Sequence, residues 1–340
     1  MHSARFRDLT SRYPGLRVAV VGDFCLDRYF DIDPARDEIS LETGLTVHNI
    51  VRVRCQPGAA GTILNNLVAL GVGTIYPVGA CGEDGEGWEL LRALDRKAGV
   101  KLEHFVQSSE VHTFTYTKPL VRAHGKPPVE LSRLDIKNWS ATPPRIEAAL
   151  SRAVQSLLPL VDAMIVLDQV DVAETGVVTK RLLQTIEESL SRVPALPIIA
   201  DSRRGLRGFP PVILKMNARE LGALTGMRPD ADLAEVERVA SELARKQGRA
   251  VIVTLAERGM VGAGPDGFVE RCPAFPRRGE IDIVGAGDSV TANLAVSLAG
   301  GATVGEAIQL ASAAASIVIH QLGTTGTASV QEIAELLISR

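Results

Sequence analysis

Apolar residues fall into short continuous runs along the chain: LRVAVVGD over 16–23, then 74–78, 163–167, 197–200 and 250–254. Runs of this length without polar alternation predict strands buried on both faces of a parallel sheet. Between them, apolar positions recur at helical spacing over 61–70, 88–98, 145–158, 178–191 and 233–247. Strands alternating with helices predict right-handed crossovers and an α/β fold, a mostly parallel central sheet flanked by helices.

Two stretches break the alternation. Residues 31–55 and 111–135, the latter containing HTFTYTK and VELSRLD, read as extended segments of period two that form a small β-sheet lid inserted in the main fold. Residues 284–322 are rich in Ala, Gly and Ser and predict two closely packed helices separated at 300–302. No repeat, low-complexity tail or linker divides the chain, so residues 1–340 are expected to form one domain.

The 340 residues are 46% hydrophobic with a formal net charge of -3 and scattered basic positions, which offers no footprint for nucleic acid or an anionic membrane and makes a small molecule the expected partner. No apolar run has the length of a membrane span or a signal core, and the expected location is the cytoplasm. Cys25, Cys55, Cys81 and Cys272 lie too far apart for zinc spacing and are expected as reduced thiols; the six histidines show no ligand spacing either. GACGEDGEG lacks the order of a dinucleotide fingerprint, and there is no GxxxxGK[ST], so neither a nicotinamide oxidoreductase nor a P-loop enzyme is supported.

The densest candidate chemistry is DIVGAGDS, residues 282–289. Gly285, Ala286 and Gly287 at a helix start let backbone N–H groups approach an anion where the helix dipole favours negative charge. Asp288 follows directly, where a carboxylate can accept the proton of an attacking hydroxyl. A glycine turn with a capping aspartate fits the same residues, and the string alone leaves both readings open.

DIVGAGDS resembles the C-terminal signature of the ribokinase-like (PfkB) carbohydrate kinases, and the resemblance extends over roughly 16–337. VVGDFCLDRY resembles the family's first strand, whose terminal acidic residue binds sugar hydroxyls; that position is Asp27. PGAAGTILNNLVALG resembles the second signature, implicating Gly58, Ala59 and Thr62 in sugar binding. KMNARELGALTG resembles the NxxE element, so Asn217 and Glu220 would organise Mg²⁺ and phosphates through water. VTLAERGMV implicates Thr254 and Gly259 beside the nucleotide, and Ala311, Ser312 and Ala315 match the small residues that flank adenine. The resemblance implies ATP and Mg²⁺, a K⁺ or other monovalent-cation site at Asp282, catalysis with Asp288 as base, and a homodimer joined through the lid strands.

The chain departs from the family pattern at three places. Ala59 replaces the second of paired glycines, Thr62 stands where an Asn contacts the sugar, with Asn66 one turn on as a substitute, and Ala256 stands where the nucleotide turn often has Gly. An alanine is mild there at ordinary φ and strained at positive φ. GDFCLDRYF, SRLD and AASIVIHQLGTTG are similar to the heptose-7-phosphate kinase branch, although LDQVDVAETG lacks the DYxKG-like loop of that branch, as does the chain the nucleotidyltransferase domain that often follows. A phosphorylated acceptor would call on Lys118, Arg122, Lys126, Arg133, Arg203 or Arg204. An unphosphorylated sugar, as for ribokinases and fructokinases, and a sugar- or nucleotide-binding relative without turnover are the alternatives.

Overall fold

The computed structural model describes residues 1–123, 125, 127–323 and 325–338. An eight-stranded sheet forms its centre, in the order Val269–Cys272, Met260–Ala263, Val251–Thr254, Ile213–Asn217, Ile198–Ser202, Ala163–Asp168, Arg17–Gly22 and Thr74–Val78. The pairings are parallel from Thr74–Val78 through to Val251–Thr254, and the two strands beyond are antiparallel. The five strands expected from apolar runs lie within one or two residues of their predicted bounds. Those not expected are Ile213–Asn217, interrupted by Lys215, and the short antiparallel pair, whose runs are brief and carry Gly262 or charges.

Each sheet face is closed by helices. Pro144–Leu157, Lys180–Ser189 and Leu233–Gln247 bury Leu150, Val154, Ile186, Val236 and Ala240 against one face. Ala60–Ala69, Gly85–Asp95, Ala286–Ala299 and Val304–Val318 cover the other with Ile63, Leu67, Leu90, Ala292 and Leu310. The last two helices are in contact and share a core cluster in which Val290 and Leu294 of one join Ala307, Ile308 and Ala311 of the other.

A second sheet of five strands stands apart from this core. Thr115–Val121 and Ile50–Ala59 flank Phe24–Ile32, while Val129–Glu130 and Leu134–Ile136 pair with the far side of Thr115–Val121. The VVGDFCLDRY stretch, which the resemblance treats as one first strand, is divided between the two sheets: the first apolar run ends, and the chain leaves the main sheet, at Asp23. That buried side chain accepts the N–H groups of Gln169 (2.8 Å) and Val177 (2.7 Å), and burial pushes its pKa up to about 6. Asp23 thereby fixes the loop at 169–177 to the point where Phe24–Ile32 turns into the lid, so Asp27 lies on the lid rather than at a core-strand end.

Alanines 59 and 256 both adopt positive φ, 53° and 52°. These are the two positions where the resembling family has glycine, so the strained alternative holds at both. Ala59→Gly and Ala256→Gly are each expected to stabilise the fold by about 1 kcal/mol, the relief of strain less the added freedom of glycine when unfolded. Urea titration checks this; an unchanged midpoint in both variants contradicts it.

Candidate active site

The Ala286–Ala299 helix is entered through Gly285 at φ 83°, a conformation that favours glycine. The Ala286 N–H is taken by the Ile283 carbonyl at 3.2 Å, whereas the Gly287 and Asp288 N–H groups have no hydrogen-bond acceptor among the described residues. The amides left open among the described residues are therefore those of Gly287 and Asp288, one residue later than the Gly285–Gly287 stretch.

Asp288 is half-buried in the first turn of this helix. Desolvation, followed by the charge of Asp201, pushes its pKa up to about 7, with Asp27 adding to the rise and Lys215 opposing it. A carboxylate poised near neutrality suits a base that accepts a proton and returns it to solvent.

Lys215 and Asp201 are the functional candidates that sequence reasoning missed. The Lys215 ammonium donates to Asp201 at 2.6 Å and is nearly inaccessible to solvent, at 7% exposure. It lies so close behind the helix entry that a Cβ on Gly287 would approach it to 3.2 Å. Thr291, one turn into the helix, donates to the same Asp201 oxygen at 3.2 Å. A lysine inside the apolar run VILKMN was the available signal, because a buried lysine on a core strand needs a partner.

Asn217 and Glu220 form a reciprocal capping box at the start of Ala218–Thr225: Glu220 accepts the Asn217 N–H at 2.8 Å and Asn217 accepts that of Glu220 at 2.9 Å. Burial raises the Glu220 pKa, with the charge of Asp201 contributing. Asn217, Thr254, Gly259, Ala286, Gly287, Ser312 and Ala315 line one cavity of about 740 Å³ along the ends of the sheet strands. Its far wall is apolar, built by Ala274, Pro276, Ile283 and Ile319, and is suited to a flat base. A side chain at Gly259 would overlap the Cys272 carbonyl, and φ there is 90°.

On the lid, Asp27 pairs in register with Gln56 on one side and Tyr116 on the other. A Cβ at Gly58 would overlap its carboxylate, which accounts for glycine there. Asp27 is 7% exposed, and its charge adds to the rise of the Asp288 pKa. Ala59 packs against Cys25, Phe114 and Val170 beside it. Thr62 is buried at 1% exposure, and Asn66 is fully buried, its amide spent on the Thr62 carbonyl at 3.0 Å. The structure thus brings Asp27, Gly58 and Ala59 together in the lid sheet and leaves Thr62 and Asn66 in the helix packing.

Asp282 accepts the Val284 N–H at 3.0 Å and donates its own N–H to Ile319 at 2.8 Å. Among the described residues no group of three or more His, Cys, Asp or Glu side chains converges on a metal-sized site. No helix there is long and apolar enough to cross a membrane. Lys126 lies outside the described residues.

A helix-start anion site, an adjacent carboxylate near neutral pKa and a large cleft along the strand ends define a phosphotransferase of the α/β class. Residues 16–331 match the pfkB family carbohydrate kinase profile, and the chain belongs to that family. Its class is accordingly that of ATP-dependent sugar kinases. Among curated relatives, the bifunctional protein HldE of Azorhizobium caulinodans is 32% identical over 90% of this chain and 61% of its own length. The Hyphomonas neptunium HldE is 32% identical over 97% of this chain and 65% of its own length, so the chain spans somewhat under two thirds of these relatives. Two solved structures share the fold. Arabidopsis thaliana ribokinase complexed with ribose and ATP has a TM-score of 0.68 at 19% identity, covering 95% of this chain and 98% of that one. Phosphofructokinase-2 from Escherichia coli has a TM-score of 0.72 at 18% identity, covering 96% and 100%.

Proposed function

We propose that the chain transfers the γ-phosphoryl group of ATP to a hydroxyl of a heptose phosphate, with Asp288 as catalytic base. The observation that carries the mechanism is Asp288 at a helix start where its own amide and that of Gly287 have no acceptor among the described residues, with the charge of Asp27 acting on its carboxylate. The acceptor's O–H proton passes to the Asp288 carboxylate, its oxygen forms the new bond to phosphorus, and the bond to the β-phosphate oxygen breaks to release ADP. The Gly287 and Asp288 amides, with the Lys215 ammonium behind them, bear the charge on the moving phosphoryl oxygens.

The donor set suits Mg²⁺ that arrives with the nucleotide and keeps most of its water, because one half-buried carboxylate, Glu220, stands beside the phosphate end of the cleft. Mg²⁺ held there through Glu220 and water would supply charge neutralisation for the nucleotide phosphates. Asp282 and nearby carbonyls are the candidate K⁺ position. The heptose acceptor rests on the HldE relatives. Acceptor-dependent ADP release, measured over free and phosphorylated heptoses and hexoses, tests the reading; ADP release that no acceptor stimulates overturns it.

The lid also supports a homodimer. Ile50–Ala59 is an edge strand, and its Val51 and Val53, with Ile39 and Leu45 in the preceding segment, are each more than half exposed. An exposed apolar edge calls for pairing or cover. Solution mass twice that of the chain, reduced to one by Val53→Glu, is the expected result; a monomer at micromolar concentration contradicts it.

A further inference from the structure

Six basic residues in or near the lid were candidates for binding a phosphorylated acceptor, and the structure separates those it describes. Arg122 lies 2.6 Å from Asp31, which also takes Arg54 at 3.2 Å and is only 4% exposed. Arg204 lies 2.7 Å from Asp168, 1% exposed and also bound by Ser202. Withdrawing either arginine would weaken the neutralisation of a buried carboxylate, so both are committed to the fold. Arg203 pairs with exposed Asp171.

Lys118 differs from all of these. It has no carboxylate within 4 Å among the described residues, and its ammonium lies 5.1 Å from the Tyr29 ring. The strand register sets Lys118 opposite Tyr29, and Tyr116 opposite both Asp27 and Asp135, so all five side chains share one face of the lid sheet. Arg133, two residues before Asp135, joins that face: its guanidinium stacks 4.9 Å from the Tyr116 ring and is shared with Asp135 at 2.7 Å. Lys118 and Arg133 are also the two cations whose charge acts on Asp27. Lys118 and Arg133, on two neighbouring rings that Arg54 and Lys137 also approach, thus flank the carboxylate proposed to read sugar hydroxyls, and Lys118 has no carboxylate within 4 Å among the described residues. Tyr29 and Asp27 are two residues apart on one strand, about 7 Å.

We infer that Lys118 and Arg133 form a subsite for a phosphate monoester carried by the acceptor sugar. Arg133 exchanges its exposed partner Asp135 for the phosphate, while Lys118 needs to give up none. The inference rests on the sugar-kinase reading above and adds the residues that discriminate a phosphorylated from a free sugar.

The test compares D-glycero-D-manno-heptose 7-phosphate with the same heptose lacking phosphate. Lys118→Met and Arg133→Gln are each expected to lower kcat/KM for the phosphorylated acceptor about tenfold to hundredfold, chiefly through KM, the loss typical of a charge-assisted hydrogen bond. The KM for ATP and the kcat/KM for free heptose should stay within about twofold. Arg228→Gln, at an exposed arginine paired with Asp230, serves as the control. An equal loss with both acceptors would mean that Lys118 and Arg133 act only by keeping Asp27 ionised, and overturns the subsite. So does a wild-type protein that turns over both acceptors alike. If the wild-type protein turns over neither, the kinase reading fails, and calorimetric binding decides the subsite separately. Binding of the 7-phosphate that both variants weaken supports it, and equal or absent binding of the two sugars overturns it.

Discussion

Asp288→Asn is expected to lower acceptor-dependent ADP release by about 10³-fold while leaving ATP affinity within a few-fold, because the amide keeps the shape and loses the ability to take a proton. Gly287 and Asp288 still present their N–H groups in this variant, so the nucleotide cleft is unchanged. Measured ATP binding beside lost turnover separates loss of the base from loss of the fold. Full activity in Asp288→Asn would remove Asp288 from the chemistry. The wild-type pH profile gives an independent reading. With the Asp288 pKa near 7, kcat/KM for the acceptor rises with pH through about 7 and levels off above it, since only the ionised carboxylate accepts the proton. Asp201→Asn removes a charge that raises this pKa, so the acid limb moves to lower pH; a limb that does not move would show that another group sets it.

Lys215→Met is the second large effect, and it acts on two quantities. Its ammonium opposes the rise in the Asp288 pKa, so its loss moves the acid limb upward, and removing positive charge behind Gly287 lowers kcat by about 10²-fold. The same change leaves Asp201 without the 2.6 Å partner that neutralises it, at a cost of about 3 kcal/mol in stability. The double variant Lys215→Met/Asp201→Asn removes the uncompensated charge and is expected to recover most of that stability without recovering kcat. Denaturant titration and steady-state kinetics on the same three proteins check both parts. Recovery of kcat together with stability would make Lys215 a structural residue alone.

Much of the core was legible because fully buried parallel strands leave continuous apolar runs, as at Arg17–Gly22 and Ala163–Asp168. Ile213–Asn217 was not, since Lys215 breaks the apolar pattern for a reason that lies 14 residues away at Asp201. The lid segments could be recognised by their period of two, but its central strand could not. The first apolar run ends at Asp23, but residues 24–30 lie outside both expected lid segments, and the long-range hydrogen bonds of Asp23 show why the second sheet starts there. At the site, the chemistry of GAGD was visible in the string, whereas the position of the free amides depends on the turn bond from Ala286 to Ile283. The strain at Ala59 and Ala256 needed backbone angles, which residue types alone leave open.

Gln56, two residues before the glycine that makes room for Asp27, donates to Thr325 at 2.6 Å, and the Thr325 side chain lies where a Cβ on Gly285 would meet it at 3.4 Å. A lid strand and the phosphate turn therefore share one residue as a neighbour. When two ligands bear on such a joint, thermodynamics makes their influence mutual: the factor by which acceptor alters ATP affinity equals the factor by which ATP alters acceptor affinity. Order of addition then becomes a matter of rates alone, and Gln56 is where the coupling constant would be read.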